Sequence, residues 1–62
     1  MLYEKIVAVA TERGTSIRKI EEECGLSNGS VIKWRTSKPA AESLYKVAKF
    51  LGLTVEDLLK ED

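Results

Sequence analysis

Several side chains in the stretch SNGSVIKWR, residues 27–35, have the chemistry needed to read the edge of a base pair. The amide of Asn28 can form a bidentate pair with adenine N6 and N7, and Lys33 can donate to guanine O6 and N7. Ile32 is suited to contact a thymine methyl group. Gly29 has no side chain, so its contribution is clearance for close approach of the backbone. These residues together predict contact with the major groove of double-stranded DNA.

A rigid element must present these residues, and the spacing predicts a helix from Ser27 to Arg35. Ser27 is a suitable N-cap. Val31 and Trp34 are three positions apart and share one helical face, which we expect to pack into the core. The base-reading residues then point away from the core.

A second helix is predicted directly before this one. Ser16 is suited to cap its start, and Gly25 to follow its end. Ile17, Ile20 and Cys24 keep helical spacing, so Cys24 is expected to be a small buried residue. Two helices joined by about four residues, with glycine closing the first and serine opening the second, are typical of a helix-turn-helix.

Three further helices complete the expected fold. The first runs from Leu2 to Arg13 and is stopped by Gly14, and the fourth runs from about Ala41 to Leu51. The fifth opens at a capping box formed by residues 54–57. No window alternates with period two, so we expect an all-α, five-helix fold in a single domain of residues 1–62.

Composition narrows the possible functions. The 62 residues contain one cysteine and no histidine, so neither an ordinary zinc site nor an internal disulfide is expected. The sequence offers no catalytic nucleophile with a general base beside it, so the chain is not expected to be an enzyme. No cofactor, metal or small-molecule ligand is predicted. Glu4 and Lys5 interrupt the apolar N-terminal letters, so no signal peptide or membrane span is expected. The predicted location is the cytoplasm, in association with the nucleoid.

Charge is unevenly distributed along a chain whose formal net charge is zero. Residues 30–49 contain five basic residues and one acidic residue, a net charge of +4. Acidic residues collect at 21–23 and again at 56, 57, 61 and 62. The first of these runs is expected to form a solvated outer face. A neutral total can therefore conceal a basic face suited to DNA.

The segment SIRKIEEECGLSNGSVIKWRTSKPAAESLYKVAKFLGLTVEDLLK resembles the lambda-repressor-like helix-turn-helix domains of the Cro and phage-repressor type. The pieces GLSNGSVIKW, LYKVAKFLG and VEDLL occur in the order that this family shows, and the resemblance covers nearly the whole chain. It implies a compact five-helix DNA-binding domain with the helix-turn-helix at helices 2 and 3. The implied function is transcription regulation by a repressor of Gram-positive bacteria or their phages.

The resemblance also implies which residues contact DNA. The family's base readers fall on Asn28, Gly29 and Lys33, and Ile32 joins them because of its outward position. The residues expected to contact phosphates are Ser16, Ile17 through its main-chain amide, Arg18, Ser27, Arg35 and Lys38.

Three positions depart from the family pattern. Ile17 stands where a glutamine is frequent, so only its main-chain amide can hold a phosphate. Glu21 stands where a small residue is usual, and we expect it to lean out to solvent. Ala40 replaces a polar cap ahead of the fourth helix, at an expected cost of about 1 kcal/mol.

Apolar residues near the C-terminus exceed what five short helices can easily bury, among them Leu53, Val55 and Leu59. We therefore expect a homodimer formed through the C-terminal region, which would place two copies on an inverted-repeat operator. The alternative is a protein-interaction module, such as an antirepressor or accessory subunit, that keeps the fold without binding DNA. Zero net charge, Ile17 and the outward Ile32 favour that alternative.

Overall fold

Within the described part of the chain, apolar side chains at helical spacing assemble four α-helices around one core. The computed structural model describes residues 2–60, so Glu61 and Asp62 of the second acidic group lie outside the described residues. The helices are α1 (Leu2–Glu12), α2 (Ile17–Glu23), α3 (Ala41–Leu51) and α4 (Val55–Leu59), and a 3₁₀ helix (Ile32–Arg35) lies between α2 and α3. Across residues 2–60 there is no strand, which confirms the expected all-helical class.

The sharp corner between α1 and α2 follows from local backbone chemistry. Gly14 has a φ of +72°, a left-handed conformation that glycine adopts without a steric penalty. The amide of Thr15 then donates to the carbonyl of Ala10 at 2.9 Å, which closes the end of α1. Ser16 is the predicted N-cap of α2, since its Oγ accepts from the amide of Lys19 at 3.2 Å.

The two C-terminal helices begin in different ways. Ala40 precedes α3 without a side-chain hydrogen bond, as the missing polar cap predicted. At α4 the predicted capping box is present. The Thr54 amide donates to Asp57 Oδ2 at 3.0 Å, and the Asp57 amide donates to Thr54 Oγ1 at 3.0 Å.

The core lies where α1, α2, α3 and α4 meet. Its buried apolar members are Ile6, Ala10, Ile20, Cys24, Val31, Leu44, Val47, Ala48, Leu51 and Leu58. α1 packs against α2, the 3₁₀ helix and α4, and α3 packs against α2 and α4. Two cations reinforce this arrangement. Lys5 Nζ, in α1, donates to the carbonyl of Lys60, and Arg13 Nε, directly after α1, donates to that of Leu51, each at 2.9 Å.

The expected five-helix count, with a third helix from Ser27 to Arg35, is wrong. Residues 28–31 form a turn, and only residues 32–35 are helical, in a 3₁₀ geometry. Gly29 has a φ of +87°, which lies outside the right-handed helical region and so breaks any continuous helix through this point. A Cβ at Gly29 would meet nothing within 4 Å. Glycine is therefore favoured here by the backbone torsion angle and not by a close contact with another part of the chain.

None of the helices within residues 2–60 combines the length and the apolar character needed to cross a lipid bilayer.

Candidate nucleic-acid interface

The 27–35 segment divides into an inward and an outward side. Val31 is completely buried, and Trp34 is half-buried against the core, so both pack inward as their spacing predicted. Asn28 and Lys33 are exposed, and Ile32 is 50% exposed. One short segment therefore offers an amide, an aliphatic side chain and an ammonium group to solvent.

Glu21 holds the turn of this segment in place. Its Oε1 accepts from the amide of Gly29 at 3.2 Å, and its Oε2 accepts from the amide of Val31 at 3.0 Å. Only 4% of Glu21 is exposed, so the expectation that it leans out to solvent is wrong. A turn that departs from helical geometry leaves amides without helical partners, and a buried carboxylate can satisfy two of them.

Sequence reasoning missed Glu21, although a signal was present. Glu21 lies four positions after Ile17 and next to Ile20, so it falls on the stripe that α2 turns toward the core. A carboxylate on such a stripe needs buried partners. Glu22 and Glu23 are exposed, so the solvated face predicted for the acidic run holds for two of its three members.

The expected phosphate contacts Ser16, Ile17 and Arg18 lie together at the start of α2. Ser16 and Arg18 are exposed, whereas Ile17 is half-buried and packs against the core. Glu21, one helical turn further on, bonds to the turn at Gly29. α2 therefore connects this group of residues to the 27–35 segment.

The other expected phosphate contacts have different surroundings. Ser27 is exposed, and its carbonyl accepts from the Ser30 amide at 3.0 Å. Arg35 faces α1, with Nε 3.7 Å from Glu4 Oε2 and its guanidinium 5.9 Å from the centre of the Tyr3 ring. Lys38 is exposed in the loop before α3. Arg35 thus contacts α1 through an exposed ion pair and the face of a ring, and an exposed ion pair of this kind is weak.

Cys24, at the end of α2, is buried, as predicted. Burial raises the pKa of its thiol, while the nearby Lys46 lowers this pKa and Glu23 raises it. A thiol with a raised pKa is protonated at neutral pH and is a poor nucleophile. Among residues 2–60, no group of three or more His, Cys, Asp or Glu side chains is arranged to hold a metal ion.

No protein-family model, curated protein or solved structure matches this chain.

Proposed function

We propose that this chain is a sequence-specific DNA-binding repressor of transcription, built as a single helix-turn-helix domain. Its helix-turn-helix consists of α2, the turn at residues 28–31 and the 3₁₀ helix. The observation that supports this most directly is the division of the 27–35 segment. Val31 is buried, while Asn28, Ile32 and Lys33 face solvent together.

The exposed side chains suit the edges of base pairs. Asn28 presents an amide for adenine, and Lys33 an ammonium group for guanine. Ile32 lies directly before Lys33 in the 3₁₀ helix, and its half-exposed side chain can cover a thymine methyl group. Gly29 lies between Asn28 and the 3₁₀ helix, where its backbone conformation turns the chain.

Phosphate contacts would come from both sides of this segment. Ser16, the Ile17 amide and Arg18 stand at the start of α2. Ser27 precedes the turn, Arg35 ends the 3₁₀ helix and Lys38 lies in the loop before α3. Lys33 and Lys38 are exposed in and beside this segment, and their positive charge supports attraction to a polyanion in spite of the neutral total. These contacts fix position on the duplex without reading its sequence.

The active form is proposed to be a homodimer joined through α4. Leu59 is 57% exposed and borders an apolar groove that Leu2, Leu44 and Val55 also line. Glu56, on α4, and Lys60, directly after its end, are both exposed, so an antiparallel pairing of two α4 helices would place opposite charges together. A dimer on successive major grooves would read half-sites about 34 Å apart. Such a dimer on an inverted repeat would repress by covering a promoter.

Selection from randomised duplex DNA at about 100 mM salt tests this proposal, with affinities for the enriched duplex repeated over a salt series. We expect an enriched inverted repeat and a steep loss of affinity with rising salt, because each neutralised phosphate releases counterions. Sedimentation should show a dimer in the micromolar range. A monomer at high micromolar concentration would contradict the dimer, and a pool without enrichment would contradict sequence-specific binding.

The exposed Ile32 also favours a second function, a protein-interaction module without DNA binding. An apolar side chain that is half-exposed on a short 3₁₀ helix can equally cover an apolar site on a protein partner. Co-purification of a stoichiometric partner, lost on Ile32→Ser, together with an unenriched DNA pool, would favour this function over repression.

A further inference from the structure

We propose that Glu21 is a positioning residue, whose buried carboxylate fixes the turn that presents Asn28 and so determines base selectivity. This inference rests on the proposed DNA-binding function and concerns the same site. Glu21 is almost entirely buried and cannot itself touch DNA, so it acts through the backbone of the turn.

The geometry of the carboxylate constrains the turn on two sides. One oxygen holds the amide of Gly29 and the other holds the amide of Val31, at 3.2 and 3.0 Å. Asn28 directly precedes the first of these anchored amides, and the second belongs to the residue that opens the 3₁₀ helix. The two hydrogen bonds therefore fix the backbone between Asn28 and the exposed pair Ile32 and Lys33.

The chemistry of the contact favours a specific role for the carboxylate. Burying a charged group carries a desolvation cost that hydrogen bonds must offset. An apolar side chain at position 21 would avoid that cost, but it would leave the amides of Gly29 and Val31 without their acceptor. Gly29 has a φ of +87°, a backbone conformation that residues other than glycine rarely adopt. The carboxylate thus selects one conformation of the turn.

The test compares Glu21→Gln with Glu22→Gln. Both variants remove one negative charge from adjacent positions on α2, but Glu22 is exposed and Glu21 is buried. Glutamine matches the size of glutamate and keeps one acceptor oxygen, while its NH₂ group would face an amide donor. Fluorescence anisotropy at fixed salt measures affinity for the selected duplex, for duplexes with one base pair changed, and for an unrelated duplex. Circular dichroism reports folding of each variant at the same temperature.

We expect Glu22→Gln to keep the wild-type preference for the selected duplex. Glu21→Gln should lose about tenfold in preference at the base pair read by Asn28, in line with the usual value of one bidentate contact. Its affinity for the unrelated duplex should match that of Glu22→Gln. An equal preference in the two variants, or an equal loss by Glu21→Gln on every duplex, would overturn the positioning role. A wild-type protein without any preference would instead overturn the proposed function.

Hydrogen exchange of the wild-type protein gives a second measurement that does not depend on a folded variant. If Glu21 positions the turn for reading, the amides of Gly29 and Val31 should exchange slowly both in the free protein and in the complex with the selected duplex. Faster exchange of these amides on binding that duplex would show that the contact breaks in the reading state, and this would overturn the inference.

Discussion

Asn28 and Lys38 are both exposed, but they have different roles in the proposed complex. Asn28→Ala should cost about 1–3 kcal/mol at one base pair and relax the preference there, because it removes a bidentate contact. Lys38→Ala should weaken binding to all sequences alike and lower the salt dependence, because it removes a phosphate contact. Affinities on a set of singly substituted duplexes distinguish the two effects. Equal losses for both variants on every duplex would contradict the assigned roles.

The left-handed backbone conformation of Gly29 can also be tested. Gly29→Ala should lower the free energy of unfolding by about 1–2 kcal/mol, because an L side chain is strained at this φ although space is open around it. Gly14→Ala is the matched control, with a φ of +72° and equally open space. Urea denaturation should show similar destabilisation for both variants. Only Gly29→Ala should also impair preference for the selected duplex, and unimpaired preference would count against a role for the turn in reading.

The environment of a single residue can be predicted from sequence where a local pattern determines it. The Ser16 cap and the buried Cys24 and Val31 follow from spacing and composition alone, and the structure confirms them. The burial of Glu21 could be predicted from its place on the inward stripe of α2, but its partners could not, because they lie eight and ten positions further along the chain. Acidic residues are rarely buried, and Glu21 is an exception because two backbone amides from a later part of the chain donate to it.

The capping box of α4 makes the stability of this helix dependent on pH. The hydrogen bond from the Thr54 amide lowers the pKa of Asp57 below its ordinary value of 3.8. A carboxyl group with a lowered folded-state pKa adds stability above its unfolded pKa and loses it as pH falls through the folded value. We expect the difference in melting temperature between wild type and Asp57→Asn to shrink as pH falls from about 6 to about 2.5. A difference that stays constant over this range would contradict a contribution from the ionised carboxylate.

The elements differ in how well sequence predicts them. α1, α2, α3 and α4 have apolar stripes bounded by caps and glycines, and the structure places them within one or two residues of the expected positions. The region after α2 is different, because a spacing of three between Val31 and Trp34 fits both an α-helix and a 3₁₀ helix. The Asn28-Gly29 pair is a common turn signal and favours the geometry observed.

Substitutions at the two adjacent leucines of α4 can distinguish effects on folding from effects on dimerisation. Leu58 is 2% exposed and Leu59 is 57% exposed. Leu58→Ala should lower the free energy of unfolding by about 2–5 kcal/mol. This is a large share of the total, since a domain this small has roughly 3–9 kcal/mol. Leu59→Ala should change the stability of the monomer by less than about 0.5 kcal/mol.

Leu59→Ala should nevertheless raise the dissociation constant of the dimer, because the exposed leucine lies at the proposed α4 interface. Thermal unfolding and sedimentation equilibrium of the two variants measure these effects separately. Unchanged dimerisation of Leu59→Ala would place the interface elsewhere on the molecule.

The packing of α1 against α4 has a consequence for synthesis in the cell. α1 leaves the ribosome before α4, but part of its packing surface is covered only when α4 reaches it. At about 5–20 residues per second, α1 waits a few seconds for α4 to be translated. During that interval its apolar stripe is available to chaperones or to other nascent chains. Closure of the core is therefore tied to the synthesis of α4, and a ribosome stalled before residue 55 would hold a chain that cannot close its core.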